Sequence, residues 1–275
     1  MARMARGLQL PAVRIALVDS GIGLLAAAAA VRRARPDADL VLSSDPDGMP
    51  WGPRKAEEIT AHALACAKAA RAHGPDALVV ACNTASVHAL PALRAELEPE
   101  VPVVGTVPAV KPAALAGGPV AVWATPATTG SPYQRRLIAE FGQDAQFTEV
   151  PCHGLADAVE SAHEHAVDVA VEAAAALTPR GVRSVVLGCT HYELVGERIR
   201  SAVSEEDGPL PDLFRSADAV AAQALRRLGA QPDPHAAPTG GLTVLLSGRP
   251  ARLPEAAGTY AEGRLLTAGT LTADR

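Results

Sequence analysis

One short pattern occurs twice in this sequence, as ALVVACNT at residues 77–84 and as SVVLGCTH at residues 184–191. Each copy contains four apolar residues, a small residue, a cysteine and then polar residues. A continuous apolar run of this length is typical of a strand that is covered on both faces, as in a parallel sheet. The pattern therefore places Cys82 and Cys189 at the carboxyl ends of two predicted strands.

A second pair of segments repeats at nearly the same distance along the chain. RIALVDSG at residues 14–21 resembles PVAVWATP at residues 119–126. Alanine-rich stretches with helical spacing lie between the predicted strands, for example at residues 24–34 and 56–73. Strands that alternate with helices predict an α/β fold. The shared spacing of the two pairs predicts that the fold consists of two similar halves.

The composition limits the partners of the chain. It has 275 residues, of which 30 are acidic and 25 are basic, and a net charge of −5. Proteins that bind nucleic acids usually carry a basic excess and aromatic side chains for base stacking, whereas this chain has two Trp, three Tyr and three Phe. The longest apolar helical stretch, at residues 22–31, is too short to span a bilayer. We therefore expect a small-molecule ligand, no nucleic acid and no membrane.

The four cysteines are too few for a disulfide scaffold in a chain of this length. The residues that would have to form a zinc set lack the usual ligand spacing. They are Cys82, His88, Cys189 and His191. We expect reduced thiols, a cytoplasmic location and no metal. Cys66 and Cys152 are interpreted as core residues, because free cysteine behaves as a small hydrophobic side chain.

Ligands of open α/β sheets bind at the carboxyl ends of the strands, so Cys82 and Cys189 are the candidate reactive residues. The helix expected after each cysteine presents free N–H groups and the positive end of its dipole to the sulfur. Such an environment is expected to lower the pKa of a thiol from about 8.5 toward neutral. The alternative for either cysteine is a small buried side chain without chemistry.

Six motifs together resemble the glutamate racemases of the aspartate/glutamate racemase superfamily, over residues 13–200. They are VDSGIG (18–23), MPWGPR (49–54), ACNTAS (81–86), VVGTVPAVKPA (103–113), ATPATTGSPYQRRLI (124–138) and GCTHYEL (188–194). Each motif alone is weakly specific, whereas the set in this order and spacing is highly specific.

The resemblance implies two pseudo-symmetric flavodoxin-like domains with parallel sheets and an active site in the cleft between them. The first domain would comprise residues 1–106 and 216–275 and would carry Cys82. The second, inserted domain would comprise residues 107–215 and would carry Cys189. The resemblance also allows a homodimer.

The activity that the resemblance implies is racemisation of glutamate without a cofactor, which supplies D-glutamate for peptidoglycan. One cysteine, as a thiolate, takes the α-proton, and the other delivers a proton to the opposite face. Inversion through a planar carbanion requires an acid and a base on opposite sides. By this resemblance Cys82 and Cys189 are the acid/base pair, and Asp19 and His191 are their catalytic helpers.

Further positions match the substrate-binding residues of the family. Together with Asp19 and His191, they are Ser20, Trp51, Gly52, Asn83, Thr84 and Thr190. Hydroxyls, amides and helix N–H groups can hold two carboxylates and one ammonium group without a metal. The alternatives are structural: an Asx turn for Asp19, helix caps for the hydroxyl and amide residues, and a surface position for Trp51.

The sequence departs from the family pattern in four places. Leu24 replaces a glycine, Trp51 replaces a tyrosine and Arg215 replaces an aspartate. The acidic loop SSDPDGMP at residues 43–50 is also unlike the usual one. Because the acid/base residues are intact, these changes bear on the substrate more than on the type of reaction. The alternatives are a racemase for aspartate or another amino acid, and a regulatory relative without turnover.

Overall fold

A computed structural model describes residues 13–142, 145–206 and 208–268 of the chain. Within these ranges the strands are β1 (Arg14–Asp19), β2 (Asp39–Ser44), β3 (Ala77–Val80), β4 (Val103–Gly105), β5 (Val120–Ala124), β6 (Phe147–Pro151), β7 (Ser184–Leu187), β8 (Asp212–Phe214), β9 (Leu242–Leu246) and β10 (Arg249–Ala251). The α-helices are α1 (Leu24–Ala34), α2 (Ala56–Arg71), α3 (Asn83–His88), α4 (Leu90–Leu97), α5 (Val110–Ala116), α6 (Pro132–Phe141), α7 (Leu155–Glu160), α8 (Glu164–Ala176), α9 (Thr190–Glu193), α10 (Gly196–Ala202), α11 (Ala217–Arg227) and α12 (Ala261–Thr267). A short 3-10 helix covers Glu255–Thr259.

The described strands form two sheets. The first has the order β10-β9-β2-β1-β3-β4, and the second has the order β6-β5-β7-β8. Neighbouring strands are parallel except for β9 and β10. The order β2-β1-β3-β4 in the first sheet repeats as β6-β5-β7-β8 in the second, and it is the doubly wound order of flavodoxin-like folds. The predicted α/β fold with two similar halves and parallel sheets is thereby confirmed.

The central strands of both sheets create a crevice at their carboxyl ends. β1 pairs with both β2 and β3, with Val18 opposite Val80, and β5 pairs with both β6 and β7, with Trp123 opposite Leu187. The connections of each central strand therefore leave toward opposite neighbours, which is where doubly wound sheets bind ligands. β3 and β7 are buried over their full length. This burial agrees with the nearly continuous apolar sequence of both strands.

Helix α1 joins the two sheets into one core. Its residues 24–31 are buried, and it packs against α9, α11 and α12. The five consecutive alanines at residues 26–30 leave room for neighbours on several sides of the helix. Leu24, which departs from the family pattern, lies in the same core cluster. None of the described helices combines the length and the apolar character needed to cross a membrane.

The chain passes between the sheets twice. It leaves the first sheet after β4 and enters the second at β5, and it returns after β8 through α11, which packs against β3 and β4. The domain limits 1–106 with 216–275 and 107–215 stay a prediction, although each of these crossings lies near one of them. Residues 1–12 and 269–275, which the predicted first domain includes, lie outside the described residues.

The C-terminal segment extends the first sheet. Residues 230–240, whose content of Pro, Ala and Gly predicts a linker, contain no helix or strand. β9 then adds to the edge of the sheet in parallel with β2, and β10 turns back against β9. The apolar run at residues 242–246 predicts β9, whereas no sequence pattern predicts β10 or α12, because short exposed elements carry little hydrophobic pattern.

A buried glutamate stabilises the return crossing. Glu193, at the end of α9, is 4% exposed. Its Oε1 accepts hydrogen bonds from the Ser216 N–H (2.8 Å) and hydroxyl (2.5 Å), and its Oε2 accepts one from the Ala217 N–H (3.3 Å). The first N–H groups of a helix have no partner within the helix. Glu193, in the helix that follows β7 of the second sheet, accepts hydrogen bonds from these groups and thereby caps α11. Burial raises the pKa of Glu193, and these hydrogen bonds offset part of that rise.

Glu193→Ala is expected to lower the free energy of unfolding by about 1–3 kcal/mol, because it leaves buried N–H groups without an acceptor. Glu193→Gln keeps one acceptor oxygen and should lose less. Urea denaturation measures both changes. As a control, Glu197→Ala removes an exposed carboxylate that pairs with Arg215 at 2.6 Å, and exposed pairs contribute about 1 kcal/mol or less. An equal loss at Glu197 and Glu193 would contradict the capping role.

Candidate active site

A cavity of about 300 Å³ lies where the carboxyl ends of β1, β3, β5 and β7 meet. Its volume is at the lower end of the range for small-molecule sites. Every site residue predicted from the sequence lines it. These are Asp19, Ser20, Trp51, Gly52, Cys82, Asn83, Thr84, Cys189, Thr190 and His191. The structure thus brings together residues from both sheets, and their chemical roles stay predictions.

Two glycines of the VDSGIG motif allow the sheets to approach closely. A Cβ atom at Gly21 would overlap the carboxylate of Glu160. One at Gly23 would overlap the side chains of Asp19, Thr190 and His191. The motif therefore makes room for polar side chains that come from the second sheet.

Asp19 is a fully buried carboxylate that connects the two sheets. Its Oδ1 accepts a hydrogen bond from the Ser20 N–H (2.6 Å), and its Oδ2 accepts one from the Thr190 hydroxyl (3.2 Å). Burial raises the pKa of Asp19 from its usual 3.8 to about 6, although the charge of His191 acts in the opposite direction. Asp19 therefore changes its charge within the range of ordinary assay conditions.

Cys82 directly precedes α3 and is 7% exposed. Burial raises the pKa of the Cys82 thiol well above its usual value, and the charge of Asp19 raises it further. The expectation that the following helix would bring this pKa toward neutral is wrong for Cys82. Loss of solvent and the neighbouring carboxylate outweigh the helix, so Cys82 rests as a protonated thiol in the ligand-free protein.

Cys189 lies beside a histidine that is held by a glutamate. The Sγ atom of Cys189 is 3.9 Å from Nδ1 of His191, and Nε2 of His191 is 2.9 Å from Oε2 of Glu160. Burial alone would lower the pKa of His191, but contacts with Cys189 and Glu160 and the charge of Asp19 raise it well above its usual value. The raised pKa favours the protonated form of His191, whose Nδ1 faces the sulfur of Cys189.

Asn83 links the sheets and keeps one free acceptor. Its Nδ2 donates a hydrogen bond to the carbonyl of Gly188 at 2.9 Å. Its Oδ1 is buried without a hydrogen-bond partner in the described part of the chain. A buried carbonyl oxygen without a donor is costly, and a ligand in the cavity would supply that donor.

Two more of the predicted residues belong to the loop after β2. Both Gly52 and Trp51 line the cavity. The side chain of Trp51 is buried, with an exposed fraction of 1%. The interpretation of Trp51 as a surface residue is therefore wrong. Its indole N–H donates to Oδ2 of Asp45 at 3.2 Å.

Sequence reasoning missed several residues that line the cavity or contact its lining. Thr125 and Thr128 line it after β5, and the rule that pointed to Cys82 also applies to them, because they follow a central strand. Glu160 lies at the end of α7 and accepts a hydrogen bond from the Ile22 N–H (2.7 Å), but no local pattern indicates that contact. Cys152 is buried, as expected, and also lines the cavity.

The composition of the lining defines what it can do chemically. Two thiols reach one cavity from equivalent positions of two sheets, each with its own charged neighbour. No Lys or Arg is found among the described lining residues, so hydroxyls, amides and backbone groups would hold an anionic ligand, with His191 as the cationic side chain of the lining. His88, the fourth member of the zinc set considered above, is exposed and does not line the cavity.

Curated proteins with similar sequences are racemases. The family model for Asp/Glu/hydantoin racemases matches residues 23–224. The glutamate racemase of Roseiflexus sp. (strain RS-1) is 35% identical over 243 residues, which cover 86% of this chain and 88% of the relative. The glutamate racemase of Herpetosiphon aurantiacus is 34% identical over 221 residues, which cover 78% of this chain and 85% of the relative.

Solved structures agree with the sequence comparison. Escherichia coli glutamate racemase, in complex with L-glutamate and the activator UDP-MurNAc-Ala, matches with a TM-score of 0.74 at 28% identity, over 90% of this chain and 92% of that chain. A glutamate racemase isoform from Bacillus anthracis matches with a TM-score of 0.67 at 27% identity, over 86% and 88% of the two chains. The resemblance seen in the motifs is confirmed, and the chain belongs to the Asp/Glu/hydantoin racemase family.

Proposed function

We propose that the protein interconverts L- and D-glutamate without a cofactor, with Cys82 and Cys189 as the two acid/base residues. The observation that carries the proposal is the presence of both cysteines, from equivalent positions after β3 and β7, in one small cavity. The similarity to glutamate racemases over most of the chain supports glutamate as the substrate.

The proposed reaction needs one thiolate and one thiol. The thiolate removes the α-proton of the bound amino acid, which leaves a planar carbanion. The opposite thiol then donates its proton to the other face of the same carbon. The first sulfur ends as a thiol and the second as a thiolate, so the reverse reaction starts from the state in which the forward reaction ends.

The two sides of the cavity would supply these protonation states differently. Cys82 rests as a thiol beside Asp19, so it is ready to donate. Cys189 lies next to the His191 imidazolium, which Glu160 holds in place. When Cys82 must act as the base, the ammonium group of the substrate would offset the negative charge that the buried site disfavours.

Neutral polar groups would bind the substrate. The hydroxyls that line the cavity could hold the two carboxylates of glutamate. They belong to Ser20, Thr84, Thr125, Thr128 and Thr190. The free Oδ1 of Asn83 is the acceptor that we assign to the substrate ammonium group.

The product would be D-glutamate for peptidoglycan, made in the cytoplasm. All four cysteines are unpaired, which agrees with a reducing compartment. A homodimer stays a prediction, and sedimentation velocity of the purified protein would test it.

Cys82→Ala and Cys189→Ala are each expected to reduce glutamate racemisation by roughly 10²–10⁴-fold, because each removes one of the two proton-transfer groups. Polarimetry on purified protein without added cofactor measures the rate, and deuterium incorporated at the α-carbon in D₂O reports proton exchange. Both enantiomers of glutamate and of aspartate should be assayed, and glutamate should be the better substrate.

The matched control is Cys66→Ala, since Cys66 is a buried thiol that does not line the cavity. It should retain the activity of the unmodified protein. Faster turnover of aspartate would assign the chain to another substrate of the family. Absence of turnover and of deuterium exchange with all four amino acids would leave a regulatory relative and end the proposal.

Asp19→Asn is expected to abolish most activity and yet to stabilise the fold at pH 7. The Asp19 carboxyl has a pKa of about 6 in the folded protein and 3.8 in the unfolded chain. The free energy of unfolding therefore falls as the pH rises from about 4 to about 6. The difference corresponds to about 2–3 kcal/mol. Thermal unfolding of Asp19→Asn should therefore show a higher Tm at pH 7, with a gain that shrinks toward pH 4.

The activity of the unmodified protein should fall as the pH drops below about 6, because Asp19 then loses its charge.

Asp168→Asn is the control for the stability measurement, since Asp168 is an exposed carboxylate of α8 that pairs with Arg198. It should change the Tm little at either pH. If Asp19→Asn had a lower Tm than the unmodified protein at pH 7, the charged carboxylate would stabilise the fold, and the prediction would be contradicted.

A further inference from the structure

One wall of the cavity is a loop of the first sheet, and a buried carboxylate lies behind it. Residues 49–53 line the cavity. They belong to the segment between β2 and α2, which departs from the family pattern. Asp45, at the start of this segment, is 6% exposed and is not part of the lining.

The carboxylate of Asp45 gathers three donors. Its Oδ2 accepts from the indole N–H of Trp51 (3.2 Å) and lies 2.7 Å from Nδ1 of His62. Its Oδ1 accepts from the hydroxyl of Ser247 at 2.9 Å. A buried carboxylate needs such partners, because burial without them is strongly unfavourable.

The three donors come from three different parts of the first sheet. Trp51 belongs to the cavity wall, His62 lies on α2, and Ser247 lies in the turn between β9 and β10. Ser247 has a φ of 46°, in the left-handed region that is unfavourable for a residue with a side chain. Its hydroxyl also accepts from the Asp47 N–H at 3.1 Å, so the turn is held in this conformation by the loop it supports.

Two further contacts fix the wall in place. The indole of Trp51 packs against His62, with ring centroids 6.3 Å apart and a tilt of 33°. The Asp45 N–H donates to the carbonyl of Ser20 at 3.1 Å, which connects the loop directly to the residue after Asp19. A Cβ atom at Gly48 would overlap both Asp45 and His62, so the loop lies tightly against this pair.

We propose that Asp45 is a positioning residue for substrate binding, because its bonds to Trp51, His62 and Ser247 hold the wall formed by residues 49–53 against the cavity. This role rests on the proposed function in one respect, namely that the wall contacts an amino-acid substrate. The C-terminal hairpin also takes part, since Ser247 stabilises the site from a strand pair that lies outside the repeated part of the fold.

The test combines kinetics with the fluorescence of Trp51. The chain has two tryptophans, Trp51 and Trp123. Trp123 lies in β5 of the second sheet, where its indole N–H donates to the hydroxyl of Thr178 after α8, so Trp123→Phe leaves Trp51 as the single reporter. In this background, Asp45→Ala should shift the Trp51 emission to longer wavelength and increase its quenching by acrylamide about twofold or more.

The kinetic arm uses the protein with both tryptophans. Asp45→Ala should raise KM for glutamate about tenfold and change kcat less than about threefold, since loss of a binding wall removes interactions that the ground state already makes. Asp45→Asn keeps an acceptor oxygen for Trp51 and His62 and should restore most of the affinity. Ser247→Ala changes a residue that is not part of the cavity lining and should raise KM by a smaller factor of about three.

The matched control is Glu57→Ala, which removes an exposed carboxylate from the first turn of α2, the helix that carries His62. It should leave both KM and the emission unchanged. If Asp45→Ala does not fold, Ser247→Ala decides alone, because Asp45→Asn is expected to be nearly normal. A KM and an emission of Ser247→Ala equal to those of Glu57→Ala would then overturn the positioning role.

The two arms separate this proposal from the proposed function. The emission of Trp51 does not require turnover. If the unmodified protein racemised no acidic amino acid, the proposed function would fail, while an emission shift in the Asp45 and Ser247 variants would still support the fixed wall. An unchanged emission together with normal racemisation would overturn the positioning role and leave the proposed function intact.

Discussion

The hydrogen bond between Thr190 and the buried carboxylate of Asp19 is the contact on which the arrangement of the cleft depends. It joins a residue that follows β7 to one at the end of β1, so the two sheets share a single charged group. Burial disfavours the charged form of this carboxylate, and the Ser20 N–H and the Thr190 hydroxyl are the donors that the packed sheets supply to it. Gly21 and Gly23 make the contact sterically possible, because any side chain at either position would occupy the space of the residues that approach from the second sheet.

The sequence predicts the fold and the placement of Cys82 and Cys189 in one cavity well, because both depend on local patterns. An apolar run followed by a cysteine defines a strand and its carboxyl end, and repetition of that pattern predicts two equivalent sheets. Other properties depend on contacts between distant residues. The high pKa of Cys82 arises from burial and from Asp19, which a following helix cannot offset. Glu160 reaches His191 through tertiary packing alone, and the exposed strand β10 has almost no hydrophobic pattern to identify it.

The two sides of the site are similar in backbone and different in charge. Each cysteine follows an equivalent strand, yet Cys82 has a carboxylate as its neighbour and Cys189 has an imidazolium. A reaction that runs in both directions needs equivalent positions for its two sulfurs, but it does not need identical surroundings. The repeated fold supplies the first requirement, while residues that differ between the two halves, such as Asp19 and Glu160, adjust the charge on each side separately.

The cap on α11 has a consequence for motion between the sheets. Glu193 lies four positions after Cys189 along the chain and holds the segment by which the chain returns to the first sheet. Any rotation about that return segment must therefore pull on the short helix that carries His191. If the cysteines act as proposed, opening of the cleft to release product would also displace the Cys189 sulfur, and the two acid/base groups would separate whenever solvent enters.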